Sequence, residues 1–418
     1  MKSNKLLLCA LAAVVTAPYA TSTALGLQAA YDVINLGTPL GGSFAISAGI
    51  SPAGYLGGYA NLTGDASQHA VLWYINKTKD LGTLGGPNSA LLNQFAGFSE
   101  TATKDPLGQD WCETGTGLTC LPITVKNGHA VTLPLLGGNN GAGFGSNDLG
   151  QVAGGSQTTT LDPSCLVGGA PVSPGFQTQQ AVPVIWTNAR PHQLPLPNGD
   201  SEGSANAINN LGQATGSTGD CLTTPAAHAV LWKDGKMIIL GNLGGVYNNP
   251  FAINDLTQVT GTSDIAGDLT SHAFLWQNGV MKDLGTLPGD YYSVGYSVNN
   301  RGQVVGQSCD ANFNCRAFLW QNGKMTDLNT LIPSSSPLYL YDAANIDDVG
   351  VIVGYASDQT ASNSPAFVAI PKFTWSNLEA SPSTSHSVAV PKVALPEALR
   401  AQIQQNTKKR EARRIGPR

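Results

Sequence analysis

His69, His228 and His272 occupy one position of a recurring run, read as His-Ala-Val-Leu-Trp or His-Ala-Phe-Leu-Trp. Imidazoles at matched positions invite a metal or an acid–base reading. No HExxH motif and no paired His spacing accompanies them, so no metal site is expected. They read instead as structural residues that bond backbone where units meet. Asp80, Asp283 and Asp327 also share one position, ahead of Leu-Gly or Leu-Asn. Glycoside hydrolysis needs two carboxylates that meet at a set separation. Acids that appear once per repeat read more simply as turn or strand-end residues. No P-loop or calcium loop is present, and no cofactor is expected.

A second group of residues suits binding rather than catalysis. Asn139 and Asn140, Tyr247, Asn248 and Asn249, Tyr291 and Tyr292, and Tyr339 follow Gly-Gly or similar connections in the repeat. Trp111 and Glu113 lie between or beside two cysteines. Tyr, Trp and Asn beside a channel can stack on a sugar or an extended peptide and hydrogen-bond to it. The competing reading makes the Asn residues turn formers and packs the Tyr residues between units. The elements that carry these residues decide whether any of them can meet.

Those elements are four strand-length segments that recur in order, a signal sought before any other. HAVLW (69), PITV (122), PVIW (183), HAVLW (228), HAFLW (272), RAFLW (316) and AFVAI (366) form one class. INLGTPLGG (34), KDLGTLGG (79), TLPLLGG (132), QLPLPNGD (193), IILGNLGG (238), KDLGTLPGD (282) and TDLNTLIP (326) form the next. A small, alternating run such as FAIND (251) or SVGYSVNN (293) is third, and a GQVVG-type run is fourth. Asn278-Gly279, Asn322-Gly323, Asp234-Gly235 and Asn127-Gly128 separate the first two classes and supply the positive φ of tight hairpins. Asn-Asn-x-Gly turns, as at 299–302, join the third to the fourth. Each class occurs seven times. A four-stranded unit with an apolar strand buried on both faces is a propeller blade. The expected fold is therefore all-β: a seven-bladed β-propeller over 31–371. The last repeat lacks its LG strand and the N-terminal part has a spare one, so their pairing closes the ring and removes an open sheet edge.

HAFLW, DLGTLGG, AIN and GQVVG, linked in this order, resemble the HAF-repeat family of predicted extracellular bacterial proteins. The resemblance covers about residues 31–371 and is weakest in the second and third repeats. It implies export and repetition and carries no established activity.

Composition agrees with many short strands. Only 12% of the 418 residues are charged, Gly numbers 49, and the net charge is −5. Nothing there suits nucleic acid. Lys2 and Lys5 before LLLCALAAVV read as a signal peptide over 1–26, too short to span a bilayer. The expected location is periplasmic or extracellular. Six further cysteines suit an oxidising compartment. Short loops favour Cys112–Cys120 and Cys309–Cys315, which leaves Cys165 with Cys221. In an up-and-down blade, all six fall on the rim opposite the tight turns, together with long inserts at roughly 100–121 and 157–181. Residues 372–393 are Ser/Pro/Val-rich and read as a linker. Residues 394–418 form a basic tail, helical by the spacing of Leu395, Leu399 and Ile403 and able to touch anionic surfaces. The sequence thus suggests an exported, monomeric, non-catalytic module that recognises envelope glycan or an extracellular protein on the cysteine-loop rim. A glycan-active hydrolase or lyase using the central channel is the alternative.

Overall fold

The apolar run becomes the third strand of a blade because both of its faces are covered. In Ser271–Gln277, Ala273, Phe274, Leu275 and Trp276 are all buried. Asn278 and Gly279 then turn the chain at φ 51° and 85°. The following strand, Val280–Asp283, is mostly exposed and forms the outer edge. Gly244–Ile253 and Val259–Ile265 supply the inner and second strands of the same sheet. The computed structural model describes residues 30–74, 77–171, 175–221, 226–358, 363–372, 397, 400, 401 and 403–405. The expected signal peptide lies outside them, as does almost all of the linker.

Seven antiparallel sheets of four strands repeat this pattern. Six are continuous in sequence, with inner strands Gly41–Ile50, Gly85–Leu91, Gly137–Ser146, Glu202–Ile208, Gly244–Ile253 and Tyr292–Val298 (blades I–VI). Blade VII takes Leu338–Ile346, Ile352–Asp358 and Ala366–Pro371, and its outer strand is Tyr31–Gly37 from the N-terminal side. The register runs from Tyr31 opposite Pro371 to Gly37 opposite Ala366. Ring closure by the spare strand is therefore present as expected. A small extra hairpin, Leu166–Val167 with Ala170–Pro171, sits in the long insert of blade III.

The core lies between blades. One cluster joins Ala229 and Leu231 of blade IV to Ile253, Val259, Phe274 and Trp276 of blade V. Another joins Ala45, Val71 and Trp73 of blade I to Val353, Ala366 and Val368 of blade VII. Trp186 and Trp232 reach across junctions and donate to the carbonyls of Pro134 and Pro195 at 2.7 and 2.8 Å. A lone blade exposes these faces, so the pattern must recur until the circle shuts.

One glycine of each GQVVG-type strand has a packing cause. A Cβ built on Gly58, Gly97, Gly154, Gly216, Gly261, Gly306 or Gly354 would lie 1.8–2.1 Å from a carbonyl oxygen of the inner strand. The inner strand bulges at this level in most blades, as at Gly295/Ser297 opposite Gly306, and drives its backbone against the neighbour.

Candidate functional site

The ring presents two different rims. Disulfides Cys112–Cys120, Cys165–Cys221 and Cys309–Cys315 all form, on the rim opposite the tight turns. The second of them staples loops of blades III and IV.

On this cysteine-loop rim the candidate residues divide. Trp111 is buried among Phe98, Phe144 and the Cys112–Cys120 bridge, and its indole donates to Gln177 at 3.1 Å. Asn140 is buried too; it donates to Asp105 at 2.7 Å and accepts the Cys120 amide at 2.9 Å. Asn248 accepts from Ser263, while Asn249 accepts from Asn206 of blade IV. These amides stitch the start of an inner strand to its surroundings. Asn139, Glu113 and Tyr247 are half-buried, and Tyr247 accepts from Asn249 at 3.2 Å. Tyr291 is exposed and donates to the Leu269 carbonyl. Tyr292 and Tyr339 come together: both pack against one buried cluster at the inner strands of blades VI, VII and I.

The sequence leads to an expectation of backbone partners for the repeated histidines; among the described residues they pair with carboxylates instead. His69 Nδ1 pairs with Asp80 at 2.9 Å and His272 Nδ1 with Asp283 at 3.0 Å, each across its own hairpin. His228 pairs with Asp200 at 2.9 Å, and Arg316 takes the position in blade VI with Asp290 and Asp327. Burial works against ionisation of Asp283, yet the His272 hydrogen bond and the Gly285 amide hold its carboxyl below the usual range. The pairs were legible as a constant interval of 11 residues, since 69/80, 272/283 and 316/327 repeat it.

The tight-turn rim holds what the sequence reading passed over. Asn147, Asn209, Asn254 and Asn299 each donate Nδ2 to the carbonyl of the matching residue in the next blade, at 2.8–2.9 Å, the last reaching Asp347. Each also folds its own turn. Asn254 Oδ1 accepts the amides of Leu256 and Gln258 at 3.0 and 2.8 Å, an Asx-turn. The next residue repeats the trick outward: Asn210, Asp255, Asn300 and Asp348 accept the amides of Asp148, Asn210, Asp255 and Asn300 at 2.8–2.9 Å. A chain of amides and carboxylates thus runs through blades III to VII. Burial pushes the Asp347 carboxyl above its usual range, against the amides of Val351, Val349 and Gly350.

Inside this crown lies a cavity of about 730 Å³. All seven blades line it, through residues such as Ala48, Leu92, Ser146, Ala207, Ala252 and Ala344. Phe251 and Tyr296 meet edge-on at 5.5 Å among its lining residues. Leu149, Leu211, Leu256 and Val349 follow the crown residues and are exposed, forming an apolar collar on the same turns.

A buried acid sits at the other rim. Glu202 is held well above the usual carboxylate range by burial, then by the neighbouring Asp162. It accepts from Gln177 and lies beside the Cys165–Cys221 bridge. The two sulfurs and this carboxyl converge like a ligand set, but the sulfurs are bonded to each other and are not thiolate donors.

No family model and no curated protein matches this chain. The chain is similar to several solved structures at low identity. The β-propeller domain of the Trilobed protease from Pyrococcus furiosus is 13% identical, with a TM-score of 0.43 over 68% of this chain and 81% of that one. TolB from Acinetobacter baumannii is 11% identical, with a TM-score of 0.37 over 73% and 76%. Puromycin hydrolase is 12% identical, with a TM-score of 0.41 over 84% of this chain and 56% of that one. The fold rests on the sheets themselves: this chain is a seven-bladed β-propeller of four-stranded antiparallel sheets. No helix among the described residues is long and apolar enough to cross a membrane.

Proposed function

We propose that the protein is an exported, non-catalytic recognition module of the HAF-repeat type that binds glycan in its central cavity through the tight-turn rim. The observation that carries this reading is the cavity itself, walled by all seven blades behind a mouth of alternating amides and carboxylates. Sugar hydroxyls both donate and accept, and that mouth offers both functions. The Leu149, Leu211 and Leu256 collar suits the apolar faces of sugar rings. Export is supported by three disulfides, which persist in oxidising compartments.

The acids at this mouth favour recognition over turnover. Asp148 and Asp255 both accept from the Asn210 amide, at 3.0 and 3.2 Å, and Asp348 accepts from Asn300 at 2.7 Å. Each carboxylate is thus employed in joining blades. The test is a glycan array probed with the oxidised protein and with Ala252→Trp, which fills the cavity from the inner strand of blade V. Binding lost in Ala252→Trp but kept in a Tyr247→Ala, Tyr291→Ala variant supports the reading. The reverse pattern moves recognition to the cysteine-loop rim, and release of reducing ends from a bound polysaccharide favours the hydrolase.

A further inference from the structure

The apolar cluster at the cysteine-loop mouth contains one residue from far along the chain. Ile403 is fully buried there, together with Phe44 and Ile46 of blade I, Tyr341, Ala344 and Tyr355 of blade VII, and the Cys309–Cys315 bridge of blade VI. Tyr59, Tyr292 and Tyr339 flank it. Phe44, Tyr292 and Tyr341 lie on inner strands, the strands that border the central channel. Ile403 therefore sits where three inner strands converge.

The surrounding described residues behave as part of an amphipathic helix. Residues 397, 400, 401 and 403–405 are helical, with Glu397, Ala401 and Gln405 exposed and Arg400, Ile403 and Gln404 turned inward. Positions 397, 401 and 405 are spaced by four, so they share the outer face, while 400, 403 and 404 share the other. Arg400 Nη1 donates to the Asn312 carbonyl at 3.3 Å, within the Cys309–Cys315 loop. Leu395 and Leu399 of the expected stripe lie outside the described residues.

Charge points the same way. Residues 31–371 carry 24 acidic side chains and 11 basic ones, whereas residues 372–418 carry nine basic and three acidic. Loops of the cysteine rim contribute Asp65, Asp220, Asp268 and Asp310. Opposite charges of this kind favour association of the C-terminal sequence with the rim, and Ile403 is its buried aliphatic contact.

We infer that the cysteine-loop mouth is a peptide-binding seat for a helix that belongs to a basic sequence and carries an aliphatic anchor, and that the chain's own helix around Ile403 fills it in cis. Ile403 closes this end of the channel and leaves the opposite cavity blind-ended. The inference stands apart from glycan binding, because it concerns the other mouth and needs no sugar.

The test uses the full-length oxidised protein and its Ile403→Asp variant, with a labelled synthetic peptide of residues 394–418 as probe. A tethered segment competes at about millimolar effective concentration, so the wild type should bind the peptide at least roughly tenfold more weakly than Ile403→Asp. Trypsin should also cut after Arg400 faster in Ile403→Asp, and salt at about 0.5 M, where charge is screened, should weaken the peptide's binding. Adding Tyr339→Ala to Ile403→Asp should reduce peptide binding, which ties the probe to the seat. Equal binding to wild type and Ile403→Asp, or none to Ile403→Asp, overturns the inference. A wild-type dimer that Ile403→Asp turns into monomers overturns its intramolecular part, because the occupant is then the tail of a second copy.

Discussion

Replacing Asn254 tests whether the crown of amides holds neighbouring blades together. Its side chain accepts from Leu256 and Gln258 and donates to Gln258 Oε1 at 2.6 Å and to the Asn299 carbonyl at 2.8 Å. Each such bond contributes about 1 kcal/mol net, so four give about 4 kcal/mol. Water at the cavity mouth can re-solvate part of what is exposed, which lowers the expected cost of Asn254→Ala to about 2–3 kcal/mol. Asn254→Asp is the informative partner, since blade VII already carries an acid there. Asp347 Oδ1 accepts the amides of Val349 and Val351 at 3.0 and 2.8 Å, so a carboxylate builds the turn. Asn254→Asp should therefore keep the two turn bonds, lose the two donated ones, and cost about 1–2 kcal/mol near neutral pH. Burial should raise the new carboxyl, as it raises Asp347. A raised folded-state acid costs stability that is recovered as pH falls through its folded pKa, so the deficit of Asn254→Asp should shrink in acid. Urea unfolding of the oxidised protein, read as a midpoint shift at constant slope, measures all three. An Asn254→Ala deficit under ~0.5 kcal/mol would refute the reasoning. So would an Asn254→Asp deficit equal to that of Asn254→Ala.

Three other outcomes are expected. Gly306→Ala brings a Cβ to 1.8 Å from the Val294 carbonyl and should cost roughly 3 kcal/mol or more by urea unfolding, against about 1 kcal/mol for Gly279→Ala in an open turn. Loss of Cys165–Cys221, with a separation of 56 residues, should cost about 4 kcal/mol, and loss of Cys309–Cys315, with a separation of 6, about 2 kcal/mol; paired Cys→Ser variants compared by thermal unfolding give the order. Glu202→Gln should be more stable than wild type near pH 8, with the gap closing towards pH 4, because the raised Glu202 carboxyl makes wild-type stability fall as pH rises from the unfolded pKa through the folded one. Thermal unfolding across that range reads the gap directly, and a gap that widens in acid would contradict it.

Much of the fold was legible because the repeat is nearly literal. The Asn-Gly pairs announce the outer hairpins, and the wholly apolar third strand announces neighbours on both faces. The spare LG segment at one end and the missing one at the other announce closure, which Tyr31–Gly37 against Ala366–Pro371 carries out. Loop length favoured two of the three disulfides. The candidate site was less legible. Asn140, Asn248 and Asn249 look like an accessible polar run, yet shifts of register such as that between Gly244 and Asn248 change which way each side chain turns. The Asn-Asn-x-Gly turns read as ordinary connections, because a turn's own sequence does not reveal that the next blade's carbonyl lies 2.9 Å away.

The sequence by itself determined the strand pattern, the number of blades and the chemistry of each turn, since these follow from local periodicity and from residues that set backbone geometry. Tertiary structure alone decided which polar residues face a partner and which face the channel. It also decided that Ile403 is buried among Phe44, Tyr341 and Tyr355, and that all seven blades line one cavity. The reason is distance: those contacts join residues one blade or several hundred positions apart, and only the closed ring brings them together.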